Sequence, residues 1–161
     1  MAVIGIDPGT ALTGYGIVEE LADQSLHVIT YGVIRTDSKD KPETRLCKIF
    51  EQLNEIVSLY KPESGAVERL FFQRNTTTAL SVGQARGVVI LSLAKAGLSI
   101  SEYNPIEIKQ AVVGYGRATK KQVQLMVKML LSLDMLPQPD DAADALAVAI
   151  CHIHSRKMLA L

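Results

Sequence analysis

Four acidic side chains in this 161-residue chain have the types and spacing to share one reaction. Asp7 follows the β-rich apolar run Val3-Ile4-Gly5-Ile6, and Glu68 ends the short stretch Ser64-Gly-Ala-Val-Glu68. A carboxylate at the end of a buried strand needs hydrogen-bond donors or a cation, because burying it unpaired is costly. Asp141 and Asp144 stand three residues apart, which puts them on one face of a helix. Asp140 is four residues from Asp144, so choosing between Asp140 and Asp141 is a rotation of about 100° on that helix. Two carboxylates about 5 Å apart repel by roughly 3 kcal/mol at an effective dielectric near 20. Bringing three or four together therefore calls for divalent cations. All-oxygen ligation suits Mg²⁺ or Mn²⁺, and neither a histidine pair nor a cysteine set competes for zinc. Two such ions activate a water and stabilise the leaving oxygen of a phosphodiester during in-line displacement. The chemistry is that of a nuclease.

Each acid also has a plainer role. Asp7-Pro8-Gly9-Thr10 carries the signature of a type II turn, whose amides could satisfy the Asp7 carboxylate. Asp140, Asp141 and Asp144 fall near the start of a helix, where the macrodipole and capping favour acids, and Asp140 directly after Pro139 reads as the cap. It is the four together that favour metal chemistry.

The elements that must position them can be taken in order. After the first strand, Thr13–Glu19 and Leu26–Arg35 read as second and third strands, with Ala22–Ser25 as the reversal, giving an antiparallel meander. A helix opens near Pro42 and follows the 3.6 period through Leu46, Ile49, Phe50, Leu53, Ile56, Val57 and Tyr60, ending before Pro62. Ser64–Glu68 is a fourth strand. A loop covers Leu70–Asn75, and Thr76–Thr78 can cap a helix running to about Ala96. That helix is apolar on most sides and carries Gly83, Ala85, Gly87 and Ala94, so it fits a contact with a second subunit or a close contact within one. Leu98–Tyr103 is the fifth strand, and Pro105–Val113 a short helix. Gly114–Ala118 is a glycine-rich basic loop, Thr119 caps the next helix, and Pro137-Gln-Pro139 precedes a last helix from Asp140 to about His154. The order βββαβαβααα predicts one α/β domain over residues 1–161. Its five-stranded mixed sheet has three antiparallel strands, then two parallel ones, flanked by helices.

Composition narrows the partners. The formal net charge is zero, but residues 1–68 carry 6 basic and 11 acidic side chains, whereas residues 69–128 carry 9 and 2. A basic middle third can present one cationic face to nucleic acid despite overall neutrality. Arg69, Arg74, Arg86, Lys109, Arg117, Lys120 and Lys121 supply that footprint, and phosphate contacts of this kind position DNA without reading its sequence. The chain has no apolar run of 18 residues and no basic-then-apolar leader, so no membrane association is expected and the cytoplasm is the expected location. Cys47 and Cys151, far apart and outside any CxxC motif, read as reduced core residues. His152 and His154 are expected at the end of the last helix, where imidazole favours the dipole.

Several stretches together carry a family resemblance. They are Ile4-Gly-Ile-Asp-Pro-Gly9 with Thr13-Gly-Tyr-Gly16, Glu68-Arg-Leu-Phe71, Gly83-Gln-Ala-Arg-Gly87, Lys109-Gln-Ala-Val-Val-Gly114, Lys120-Lys-Gln-Val123 and Asp141-Ala-Ala-Asp-Ala-Leu146. In that order, along nearly the whole chain, they resemble the RuvC family of Holliday junction resolvases. The resemblance implies an RNase H-like fold, a homodimer, and Mg²⁺-dependent symmetric incision of four-way DNA junctions in recombination and repair. It also implies a branch-migration motor complex of the RuvA/RuvB type as partner. It sets Asp7, Glu68, Asp141 and Asp144 on the metal-binding catalytic positions, and Lys109 and Lys120 on basic positions near the scissile phosphate. Phe71 falls on the base-contacting position. Phe71 and Phe72 share a loop, and an aromatic beside a nucleic-acid cleft can wedge into an unpaired base step.

Three other readings are open to the same residues. One is an RNase H-like nuclease acting on RNA or an RNA–DNA hybrid. Another is a nucleotide-binding lobe, since Asp-x-Gly-Thr also resembles the first phosphate loop of actin-like ATPases, although those have two lobes and this chain has room for one. The last is a non-catalytic DNA-binding module whose carboxylates are caps.

Overall fold

Alternation along the first strand decides how the sheet is covered. The computed structural model describes residues 1–69 and 76–159. In it β1 (Ala2–Asp7), β2 (Leu12–Glu20), β3 (Leu26–Arg35), β4 (Ser64–Glu68) and β5 (Ser99–Tyr103) form one sheet in the order β3-β2-β1-β4-β5. The β3-β2 and β2-β1 pairs are antiparallel, and the β1-β4 and β4-β5 pairs are parallel, as the sequence predicts. β1 is the central strand and its Val3, Ile4 and Ile6 are fully buried. On one face Ile4, Ile6, Ile17, Ile34 and Val67 meet Ile49, Leu53 and Val57 of α1 (Pro42–Tyr60) and Ala85, Val89 and Leu93 of α2 (Thr76–Lys95). On the other, Val3, Val18 and Ala66 meet α3 (Pro105–Val113), α4 (Lys120–Leu130) and above all α5 (Asp140–Leu159). Both faces being apolar is why the strands read as near-continuous hydrophobic runs.

Strand parity then places the acids. Side chains alternate along a strand, so Asp7 shares the α5 face with Val3 and Gly5, and Glu68 shares it with Ala66. Ile6 pairs with Val67, so the next residue on each parallel strand, Asp7 and Glu68, emerges at one edge. Adjacent strands lie about 4.8 Å apart.

α5 approaches the sheet very closely, and small residues on both sides permit it. Ala142, Ala143, Ala145, Ala147 and Ala149 are all buried. A Cβ on Gly5 would overlap the Ala145 carbonyl oxygen and stand 2.5 Å from the Ala149 amide nitrogen, and one on Gly14 would overlap the Asp141 carbonyl. Gly14 is the cross-strand partner of Asp7. The glycines therefore do more than soften the strand: they seat the first turn of α5, with Asp141 in it, beside Asp7. The helix is also pinned farther along. His152 is buried, with Nε2 3.1 Å from Ser64 Oγ and Nδ1 2.9 Å from Tyr103 Oη.

Several expectations need correction. Gly9 does not take positive φ, which among described glycines is confined to Gly97 and Gly114, so Asp7–Thr10 is not a type II turn. Gly9 is instead small because the Leu12 carbonyl crowds its Cβ position, and its own carbonyl accepts from Thr13 Oγ1 at 2.7 Å. Thr76–Thr78 are the first residues of α2 rather than its cap, and the position before them lies outside the described residues. α5 continues to Leu159, so His152 sits within the helix, and burial pushes its pKa down, a packing role rather than a dipole one. Cys151 is buried, but Cys47 is exposed on α1. By contrast, Thr119 does cap α4 in a reciprocal capping box; Asn104 forms a second such box at the start of α3, and Gly114 ends α3 at φ 99°. Among the described residues no helix is long and apolar enough to cross a membrane.

The α5 seat is testable. Gly14→Ala forces its methyl against the Asp141 carbonyl, an overpacking that costs about 1–3 kcal/mol. Thermal melting should fall by about 3–10 °C. An unchanged melting temperature would show that the helix is not held this close.

Candidate active site

Two strand ends and one helix start supply the acids. Asp7 leaves β1, Glu68 leaves β4, and Asp141 and Asp144 project from the first turns of α5. Helix N-termini carry partial positive charge, so α5 points its favourable end at the cluster. Even so, the group is electrostatically frustrated. The Asp7 carboxyl is pushed from 3.8 up to about 8, first by burial and then by the charges of Glu68, Asp144 and Asp141. A hydrogen bond between Asp7 and Glu68 adds to the rise at Asp7 and lowers Glu68. Glu68 is raised by burial and by Asp144, an effect opposed by the hydrogen bond from Asp7 and by Lys120 and Lys109. Asp144 is raised by burial, against the pull of Lys120.

Lys120 is the cation built into the site. As the first residue of α4, it places Nζ 3.0 Å from Asp144 Oδ2 and 3.5 Å from Asp140 Oδ2. Asp140 Oδ1 accepts from Gln124 Nε2 at 3.0 Å. Asp140 is thus turned toward α4 instead of back onto the α5 amides, a correction to its reading as the cap. Its charge bears on Asp144 and Lys120, whereas that of Asp141 bears on Asp7 and Asp144. Lys109 and Lys120 line a cleft of about 220 Å³ together with Glu68, Asp144, Pro105 and Ile108.

The remaining basic residues divide by what they touch. Arg69 Nε lies 3.5 Å from Glu102 Oε2, and Arg86 Nη2 lies 2.5 Å from Glu102 Oε1. Arg86 is largely buried, with a Nε that has no partner, so much of its charge is used inside the fold. Arg117 and Lys121 are exposed. Phe71, Phe72 and Arg74 lie outside the described residues. Glu102 and Gln124 were not singled out from sequence as site residues. Glu102 could have been: it is the first acid after Glu68, on a strand predicted to run beside it.

The donor chemistry fits a hard divalent cation. Burial and the charges of Glu68, Asp144 and Asp141 together raise the pKa of Asp7, and a cation would relieve the repulsion among these acids. Among the described residues no three acidic, histidine or cysteine side chains converge as a ready-made cage. In this arrangement Asp144 turns to Lys120, and Asp7 to Glu68.

Comparison with known proteins bears on this geometry. The family described as "Crossover junction endodeoxyribonuclease RuvC" matches residues 3–152. The protein of that name from Heliobacterium modesticaldum is 56% identical over 96% of this chain and 95% of its own length. The one from Syntrophomonas wolfei is 52% identical over 98% and 91%. Among solved structures, Thermus thermophilus RuvC superposes with a TM-score of 0.90 at 36% identity, covering 98% of this chain and 96% of that one. A second structure of T. thermophilus RuvC, in complex with Holliday junction substrate, gives 0.90 at 33% identity and the same coverage. A yeast mitochondrial Holliday junction resolvase shares the fold at a TM-score of 0.73 and 15% identity, over 98% of this chain and 80% of that one. With the sheet order above, these neighbours make the fold RNase H-like.

The frustration predicts a pH dependence. A carboxyl whose folded pKa is raised from 3.8 to about 8 contributes stability that is complete below pH about 4 and lost as pH rises through about 8. In chelator, the wild-type melting temperature should therefore fall between pH 5.5 and 8.5. Asp7→Asn keeps a donor toward Glu68 without the charge. It should melt at least about 3 °C above wild type at pH 8.5, the shift produced by about 1 kcal/mol. A lower melting temperature for the variant at that pH would contradict this account.

Proposed function

The chain belongs to the RuvC family of crossover junction endodeoxyribonucleases, and we propose that it resolves four-way DNA junctions at the cleft lined by Glu68, Asp144, Lys109 and Lys120, with Asp7 and Asp141 beside it. The electrostatic coupling of Asp7 to Glu68, Asp144 and Asp141, beside the two lysines of the cleft, carries the reading. Mg²⁺ is the ion that the oxygen donors suit, with Mn²⁺ as its substitute, and two ions per subunit would match the four acids. When bound, they supply an activated water and neutralise charge on the leaving oxygen.

The protein's own groups have separable parts. Asp7 and Glu68 offer ligands from the sheet, and Asp141 and Asp144 offer them from α5, so the helix–sheet seat fixes their separation. Lys120 and Lys109 line the cleft where charge develops on the phosphate, and preoriented cations there stabilise a transition state. Arg69, Arg86, Arg117 and Lys121 are assigned to the DNA backbone, as are Arg74 and the base-contacting Phe71 on sequence grounds. Nothing in the structure favours an RNA–DNA hybrid or a non-catalytic role.

Two symmetric cuts require two related sites, which a C₂ homodimer supplies. α2 offers the surface. Leu80 and Leu91 are exposed, and a Cβ on Gly83 or Gly87 would meet nothing within 4 Å. Leu91 also joins Leu46, Phe50 and Val88 around an apolar groove of about 270 Å³ between α1 and α2. Family membership further implies a RuvA/RuvB-type branch-migration complex as partner, and the cytoplasm as the place of action.

Two measurements test these assignments. Asp7→Asn should bind junctions like wild type while its Mg²⁺-dependent cleavage drops by at least about 10²-fold. Equal cleavage removes Asp7 from the ligand set. Leu91→Lys should shift sedimentation from dimer toward monomer and turn paired incision into single nicks. A wild type that sediments as a monomer at working concentration overturns the dimer.

A further inference from the structure

Charge counting placed the DNA-facing cations in the middle third of the chain and left residues 1–68 as an acidic flank. The fold brings three basic residues of that flank to one place. Arg35, Arg45 and Lys48, with Thr36, Asp37 and Ser38, line a concavity of about 500 Å³ where β3 meets the start of α1. Among the described residues none of these three cations forms an ion pair, unlike Lys120, Arg69 and Arg86. The one carboxylate in the lining, Asp37, accepts from the Lys39 amide at 2.9 Å. Three like charges around a concave surface focus a positive potential that an anion would relieve.

The concavity is mechanically joined to the catalytic edge. Arg45 Nε donates to Thr36 Oγ1 at 2.8 Å, and Thr36 Oγ1 donates to the Thr10 carbonyl at 2.5 Å. The Thr36 amide donates to the Ala11 carbonyl at 3.1 Å. This chain of bonds braces the guanidinium against the loop that follows Asp7. Arg35 pairs with Leu12 and Asp7 with Gly14, so β1 and β3 end at the same edge. With one strand between them, their ends stand about 10 Å apart. Lys109, Lys120 and Lys121 belong to α3 and α4, which cover the face of the sheet that carries the acids, opposite α1. The carboxylates thus lie between a cationic group already known from sequence and one that only the fold assembles.

We propose that the Arg35–Arg45–Lys48 concavity holds a backbone phosphate of the junction strand close along the chain to the phosphate being cut. The strand then crosses the sheet edge from the α3–α4 side to the α1 side, anchored at both ends. This rests on the assignment of four-way junction DNA as substrate.

The test is junction binding by fluorescence anisotropy in metal-free buffer, from 50 to 200 mM salt. It compares wild type with the double variant Arg35→Gln/Lys48→Gln, which leaves the Arg45–Thr36 brace intact. Each phosphate contact contributes about 0.9 to the slope of log K against log salt. Losing that one phosphate contact should flatten the slope by about 0.9, so the wild-type advantage shrinks about 3.5-fold across that range. A control, Lys39→Gln/Lys41→Gln, removes the same charge just outside the concavity and should keep the wild-type slope. Circular dichroism and Mg²⁺-induced thermal stabilisation should match wild type in both, showing the fold and acid cluster intact. If wild type binds junctions steeply and the double variant keeps its slope, the phosphate site is wrong while the junction assignment stands. An equal flattening in the control also overturns the site, since net charge alone would then account for it. If wild type shows no preference for junctions over duplex, the substrate assignment falls and takes the site with it.

Discussion

The structure turns on the distance between α5 and the sheet. Hydrophobic burial on two faces is a general way to hold helices against strands, and ordinary side chains would keep those backbones about 10 Å apart. Here glycine on β1 and β2 and alanine on α5 remove the spacer, so helix backbone meets strand backbone. That contact has no value for its own sake, since small residues bury little apolar area. Its consequence is at the end of the helix, where Asp141 and Asp144 are carried toward Asp7 and Glu68. Packing energy from the Ile and Leu side chains of both cores is thereby spent on holding four acids together. The Asp7 pKa near 8 is the mark of that cost. Local rules of stability are often broken at functional sites and compensated elsewhere.

Much of this was legible in the sequence because the signals were local. Element order follows from hydrophobic period, capping residues and proline stops. Strand parity puts Asp7 and Glu68 on one face once β1 and β4 are taken as parallel neighbours. What was not legible is contact between distant residues. Pro-Gly after Asp7 predicts a type II turn when only the tetrapeptide is considered, but the Leu12 carbonyl demands a small residue at Gly9 for another reason. Asp140 after Pro139 looks like a cap until Gln124 and Lys120 are found beside it. His152 near the chain end looks like a dipole partner until Ser64 and Tyr103, far away in sequence, take both ring nitrogens.

Charge gives the same lesson on a larger scale. Counting by thirds assumes that residues near in sequence act on the same surface. The fold separates Arg86, which Glu102 neutralises, from Lys121 and Arg117, which remain exposed. It also brings Arg35 of a strand beside Arg45 and Lys48 of a helix, three cations that the acidic count of their segment conceals. A net charge of zero can therefore coexist with strong local fields, because what matters for a polyanion is which charges lack a partner.

The same comparison of partners explains why a built-in lysine does not make a divalent ion redundant. Lys120 stands 3.0 Å from Asp144, yet the Asp144 pKa is still raised, so one ammonium fails to offset burial and the neighbouring acids. Its side chain is 55% exposed, and water screens much of its field. A hard divalent cation binds carboxylate oxygen at about 2.1 Å with twice the charge, which at equal dielectric is roughly three times the Coulomb attraction. A divalent ion at Asp144 would therefore compete with Lys120 for that carboxylate. Lys120 also has Asp140, held by Gln124, as a second acceptor 3.5 Å away, which would keep it at the rim of the cleft.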